Sequence, residues 1–219
     1  HRKVRNFDRS KELYDRVLAI EENNAYAIIG LAHLHYDFKD YESALYYWNW
    51  MLRISGPRVD IRVLTSIGNC YRKLKRFQDG VTYFEDALGR ESRNFYALFG
   101  LADCYRGLNE PERSLQYWNL ILENDPTNKV ILTRAGDAYR AMGELERAES
   151  YYKKALNIDF DVYALLGLAL ISRRRGEAEE AIRTLTSLLE REPRNPRVYQ
   201  ERAQAYLQAE QKDDALRVL

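Results

Sequence analysis

The sequence is short of almost everything that marks a specialised chemistry. Two cysteines in 219 residues give no paired framework, so a disulfide-stapled scaffold is excluded. Five prolines and 11 glycines are too few for a collagen-like or low-complexity chain. With 34 Lys and Arg against 33 Asp and Glu, a net charge of +1 argues against a dedicated nucleic-acid or membrane-surface protein, unless charge is segregated on one face. No apolar run approaches the roughly 18 residues of a membrane span, and the chain is read as soluble. It starts at His1 without a Met or a signal-like segment, as a piece of a longer protein would. Compartment is nearly illegible, with the cytoplasm favoured. His33 and His35 lie two apart on an expected helix, so they face different ways and cannot form an i, i+4 zinc pair. There is no Gly-rich phosphate loop, no nucleophile elbow and no strand to carry one. The expectation is a protein that is not an enzyme, with no catalytic site, metal or cofactor.

What is abundant follows a period. Residues 67–71, 101–105 and 135–139 read Ile-Gly-Asn-Cys-Tyr, Leu-Ala-Asp-Cys-Tyr and Ala-Gly-Asp-Ala-Tyr, each 34 residues after the last. In units starting at Ala25, Ile61, Phe95, Lys129, Val162 and Pro196 the eighth residue is always small: Ala32, Gly68, Ala102, Gly136, Ala169 and Ala203. The twentieth is small as well (Ala44, Gly80, Ser114, Ala148, Ala181, Ala215), and the twenty-fourth is large and apolar (Trp48, Phe84, Trp118, Tyr152, Leu185, Leu219). Small opposite large is how helices interlock. Cys70 and Cys104 occupy one position of consecutive units and read as small core residues.

Each unit carries two apolar runs at helical spacing, separated by a short turn at Asn109, Gly143 or Gly176, with Pro111 opening a helix. The predicted pairs are 25–37 with 41–54, 60–73 with 77–90, 95–107 with 111–124, 129–142 with 145–158, 162–174 with 178–191, and 196–208 with 212–219. Residues 7–20 match a second helix only, for thirteen helices in all. The domain organisation is one array over 1–219: a half repeat at 1–24, full repeats at 25–60, 61–94, 95–128, 129–161 and 162–195, and an incomplete repeat at 196–219. Ala205, Tyr206, Ala215 and Leu219 are expected to lack a packing partner at the C-terminal end.

A longer period overlies the first. Tyr26, Tyr96 and Tyr163 each stand four residues before a glycine (Gly30, Gly100, Gly167) in alternate units. Either a two-unit block was duplicated, or a groove repeats every two units. A glycine inside a helix costs about 0.5–1 kcal/mol relative to alanine, so close approach is expected there, by the Tyr ring folding over its own Gly or by a neighbouring helix, in preference to a ligand slot.

These motifs resemble the tetratricopeptide repeat family: a large residue, then Leu-Gly or Leu-Ala, then Tyr, Ala, an aromatic and Pro, along nearly the whole chain. The resemblance implies an all-α, right-handed α-solenoid whose first helices line a concave groove with their second, fifth, sixth, ninth, twelfth and thirteenth residues. Those positions would hold Arg72, Arg106, Arg140 and Arg173 in a row, with Arg62, Asn69 and Arg134 beside them and Tyr26, Ile29, Tyr96, Phe99 and Tyr163 as apolar and aromatic surface. Nine cations there face Asp37, Asp103, Asp137 and Glu201, so a near-neutral chain would hide a basic groove. Asp103 with Arg106 and Asp137 with Arg140 are also i, i+3 pairs that could satisfy each other. Of the carboxylate clamp some members use, Asn69 and Arg134 fit, whereas Thr65, Gly100 and Val130 replace the other residues. The implied function is a non-catalytic scaffold holding an acidic peptide or helix with apolar residues. The alternatives are an assembly or self-association module acting through terminal helices, or a regulatory arm of a larger enzyme. No membrane partner is expected, and nucleic acid is disfavoured because no basic and aromatic cluster follows an RNA-binding motif.

Overall fold

In the computed structural model, which describes residues 2–218 and the side chains of residues 6–217, thirteen α-helices follow one another and no strand occurs among the described residues. They are α1 (Arg2–Ile20), α2 (Ala25–Asp37), α3 (Tyr41–Ser55), α4 (Ile61–Lys73), α5 (Phe77–Arg90), α6 (Phe95–Gly107), α7 (Pro111–Asn124), α8 (Lys129–Met142), α9 (Leu145–Ile158), α10 (Val162–Arg174), α11 (Ala178–Arg191), α12 (Pro196–Gln208) and α13 (Lys212–Val218). Expected and observed ends agree to within a residue or so, except that α1, expected over 7–20, begins at Arg2.

Local chemistry sets those ends. Asn24, Asn94 and Asn128 precede α2, α6 and α8, and their side chains accept from the backbone N–H of Ala27, Ala97 and Ile131 at 3.0, 3.1 and 3.2 Å. Asp60 and Asp161 do the same for α4 and α10. An N-cap of this kind satisfies a donor that the first turn cannot. The turn inside each pair needs a left-handed residue. Gly143 and Gly176 supply it at φ 84°, and Asn109 at 61°. Lys39, Lys75 and Glu210 take the same conformation at 64°, 60° and 63°, which sequence reading does not anticipate because none of them favours it.

The helices form two compact units, one up to Tyr117 and one from Trp118, with the boundary inside α7. In the first, α2 packs on α3 and α4 on α5, while α1, α3 and α5 each also pack on the following first helix, and α4 touches α6. In the second, α8 through α13 pack successively, with further contact of α10 to α8 and to α12.

Aromatic rings set the helix spacing. A Cβ placed on Gly68 would lie 2.8 Å from the Phe84 ring, and one on Gly100 only 2.2 Å, so that ring fills the space between α4 and α6. In the second unit Tyr152 does the same between Gly136 and Gly167, at 2.7 and 2.3 Å. Both rings are fully buried. The two-unit period thus has a packing cause: rings on α5 and α9 require glycine on both flanking helices, and the Tyr–Gly pairs lie where a neighbouring helix's ring presses closest. The interlocking residues Ala32, Ala44, Trp48, Gly80, Ala102, Trp118 and Ala148 are all buried as expected.

The C-terminal helices differ from expectation. Ala205 and Ala215 are buried and Tyr206 is half-buried, Ala205 and Tyr206 because they face back into the core of α10, α11 and α12. The exposed apolar side chains there are Leu207 and Leu216. Leu219 lies outside the described residues.

Candidate partner-binding face

The first helices present the residues singled out from sequence, and charge pairing is the first thing that governs them. In the first unit Asp103 is buried between two arginines. Arg72 Nη1 donates to Asp103 Oδ2 at 2.5 Å, and Arg106 Nε and Nη2 donate to Oδ1 at 2.9 and 2.8 Å. Burial alone would raise the Asp103 carboxyl, but hydrogen bonds and charge from Arg106 and Arg72 outweigh it and hold it below its ordinary value. Arg72 is further fixed by Nε and Nη2 donating to Asn69 Oδ1 at 3.2 and 3.1 Å, and its guanidinium lies 5.9 Å from the Phe99 ring centre. Its side chain is 17% exposed, whereas that of Arg106 is 48% exposed. Two cations on one carboxylate leave a local excess of positive charge, carried outward by Arg106.

The second unit resolves the same residue types differently. Tyr152 Oη donates to Asp137 Oδ1 at 2.7 Å and accepts from Arg140 Nε at 3.2 Å, with the Asp137–Arg140 ion pair looser at 3.7 Å. Burial, then the nearby Asp137 charge, pushes the Tyr152 phenol far above its ordinary value. Arg173 pairs with Glu201 on α12 and donates to Gln204 Oε1 at 2.8 Å. Arg134 is half-buried and makes no ion pair among the described residues. Arg62 is turned away to Asp60, at 2.6 Å.

The arginine row expected from sequence carries acidic partners, two of them the i, i+3 carboxylates Asp103 and Asp137. Each of Arg72, Arg106, Arg140 and Arg173 has an acidic partner; for Arg72, Arg140 and Arg173, the less exposed three, burial of the guanidinium favours one. The condition on which the basic groove depended, that Asp103 and Asp137 leave their arginines unpaired, is not met. What survives is the two-to-one node in the first unit.

Beside that node lies aromatic surface. Tyr96 is 67% exposed, Phe95 packs edge-on against it at 5.7 Å, and Phe99 is 6.0 Å from Phe95. Phe95 was missed from sequence, although its place at the first residue of α6 beside Tyr96 was a usable signal. Tyr26 is 77% exposed and lies 6.2 Å from Tyr14. Tyr163 is exposed at the start of α10, with its backbone N–H donating to Asp161.

Among the described residues no group of three or more His, Cys, Asp or Glu is placed to hold a metal ion, and no helix is long and apolar enough to cross a membrane. Cys70 and Cys104 are free and buried, and burial pushes both thiols up to about 12.

Comparison with known proteins matches family models described as tetratricopeptide repeat to residues 66–129, 131–162 and 173–219. A tetratricopeptide repeat protein of Parabacteroides merdae shares the fold with TM-score 0.77 and 25% identity, over 87% of this chain and 75% of that one. PilF of Pseudomonas aeruginosa superposes with TM-score 0.71 at 18% identity, over 94% of this chain and 90% of its own. The RNA polymerase-associated protein CTR9 of Caenorhabditis elegans is 29% identical over 96 residues, which is 43% of this chain but only 8% of that protein.

Proposed function

The chain belongs to the tetratricopeptide repeat family, whose members are in general scaffolds for protein–protein interaction, and from that premise we propose that it is non-catalytic and holds an acidic partner segment bearing apolar residues on the first-helix face of its N-terminal unit. The observation that carries this reading is the Arg72–Asp103–Arg106 node beside Phe95, Tyr96 and Phe99. A partner carboxylate meets the outward Arg106 fork, for which bidentate geometry is available, and an adjacent apolar side chain covers the exposed rings. Asp103 plays the positioning part, keeping both guanidinium planes fixed so that little ordering remains to be done on binding.

Selection from a random peptide library against the chain tests this. Recovered sequences should be enriched in Asp and Glu next to Phe or Leu. Their binding should weaken as salt rises, since exposed charges are screened over about 8–10 Å. An R72A/R106A double variant should lose them while remaining helical. Recovery of basic or purely apolar sequences would overturn the proposal.

A second reading, assembly through terminal helices, is favoured by Ile20, Leu207 and Leu216, which stand 91%, 55% and 74% exposed on α1, α12 and α13. Concentration-dependent sedimentation, abolished by charged substitutions at Leu207 and Leu216, is its expected signature.

A further inference from the structure

The outward face of α3 differs from those of α5, α7, α9 and α11. None of the four has an aromatic residue where α3 has Tyr46 and Trp50; they carry Thr82 and Asp86, Gln116 and Leu120, Ser150 and Lys154, and Arg183 and Ser187. Tyr46 is 57% exposed, and its ring meets Tyr47 at 5.2 Å and Trp50 at 6.1 Å. Trp50 Nε1 donates to Asn23 Oδ1 at 3.1 Å, so the indole is held in place before anything binds. Glu42 stands one turn before Tyr46 and Arg53 three residues after Trp50, and residues 42, 46, 49, 50 and 53 form one stripe of the helix. Both charged side chains belong to exposed residues, and neither makes a hydrogen bond or ion pair among the described residues. Arg76, which feels the Glu42 charge, is already bonded to Asp79 at 2.8 Å. The stripe lies on the flank of the array, not at its end. α3 packs on α2 and α4, and first helices touch each other as α4 touches α6, so any helix preceding α1 in the repeat pattern would pack on α1 and α2 and leave α3 as it is.

We propose that this stripe is a self-association surface, on which the α3 helices of two copies of the chain lie antiparallel about a two-fold axis. Its order of acid, rings and base is self-complementary. Reversed against itself, it sets Glu42 opposite Arg53 twice and Tyr46 opposite Asn49 and Trp50. Each Arg53 guanidinium then lies between a carboxylate and a tyrosine ring one turn apart. The chain builds the same triad three times within itself: Arg76 lies 4.7 Å from the Tyr71 ring centre and bonds Asp79, Arg113 lies 3.9 Å from Tyr105 and bonds Glu110, and Arg147 lies 5.7 Å from Tyr139 and bonds Glu144. A cation over an aromatic face is attractive, more so once desolvated. Parallel pairing would set Glu42 against Glu42 and Arg53 against Arg53, and a segment of one charge sign would satisfy one end of the stripe and oppose the other. A pair of single helices buries less than a standard interface, so the dimer is reversible. It involves neither the acidic-segment site on α4 and α6 nor the terminal helices.

Sedimentation equilibrium of the intact chain should show the average mass rising with concentration from 25.8 kDa toward twice that value. Acrylamide quenching of Trp50 should fall in step, since Trp48 and Trp118 are buried already. Glu42→Arg and Arg53→Glu should each weaken self-association by about tenfold or more, because each sets like charges opposite one another twice. An equimolar mixture of the two variants should recover the dimer, which shows that both are folded and fixes the antiparallel pairing. Y46A/W50A should not associate. R72A/R106A, and charged substitutions at Leu207 and Leu216, should leave association unchanged. A chain that stays monomeric, association indifferent to either charge reversal, or a mixture that fails to recover it overturns the proposal. Loss of association on substituting Leu207 and Leu216 would place assembly on the terminal helices and overturn it equally.

Discussion

Phe84 in the first unit and Tyr152 in the second sit in nearly the same glycine frame, and one oxygen atom separates their consequences. Around Phe84 the ring asks nothing of the polar residues above it. Asn69 and Arg72, which stand to Gly68 as Asp137 and Arg140 stand to Gly136, are then left to each other and to Asp103, which bridges Arg72 to a half-exposed Arg106. Around Tyr152 the buried phenol must be satisfied, and it takes Asp137 and Arg140 for itself. The arginine beside the frame therefore reaches across to the next helix in one unit and is held by the core tyrosine in the other. A stripe of like residues along a repeat array is not a stripe of like function.

The largest test of this comparison empties the frames. Phe84→Ala and Tyr152→Ala should each destabilise by about 3–5 kcal/mol in chemical denaturation, as buried aromatic truncations do. Equal costs would mean the rings matter as volume, and a markedly smaller cost at either site would mean its glycines close up without it.

Filling the frames comes next. Gly100→Ala and Gly167→Ala should cost about 1–3 kcal/mol from overpacking, even though alanine is the better helix former. Gly89 lies on α5 with nothing within 4 Å of an added Cβ, so Gly89→Ala should stabilise by about 0.5–1 kcal/mol. The same substitution thus changes sign according to whether a ring is present. Pairing Gly100→Ala with Phe84→Leu should recover part of the loss, and strict additivity would contradict direct contact.

The frame was legible in the sequence and its occupants were not. The small eighth residues and large twenty-fourth residues fix which helices interlock, because steric fit depends on residue size alone and the period repeats it. Tyr–Gly spacing pointed to close approach without saying by what, and the approaching rings are those of the preceding second helices, not the tyrosines' own. The i, i+3 pairs Asp103–Arg106 and Asp137–Arg140 were legible as neighbours on one helix and do form, whereas pairing across helices was not legible. Arg72 reaches Asp103, 31 residues on, and Arg173 reaches Glu201, 28 residues on. No local pattern distinguishes these arginines from ones facing solvent.

Smaller effects sharpen the polar half of the comparison. Tyr152→Phe removes hydrogen bonds to a carboxylate and a guanidinium that retain some access to water, and should cost about 1–2 kcal/mol. Asp103 has its carboxyl depressed by its arginines, so its contribution is present above its unfolded value of about 3.9 and is lost as pH falls through the lower folded value. Asp103→Asn should flatten that acid limb of the stability profile, and an unchanged limb would mean that other carboxylates set it.

The two units meet most directly in one binding titration. An acidic, Phe-containing peptide from the library selection is titrated into the chain and into R106A and R140A at low and high salt. The expected result is that R106A weakens binding by about tenfold and reduces its salt dependence, while R140A binds as the parent does, its arginine being held by Tyr152. Equal losses in the two variants, or a loss confined to R140A, would contradict the placement of the site on the first unit.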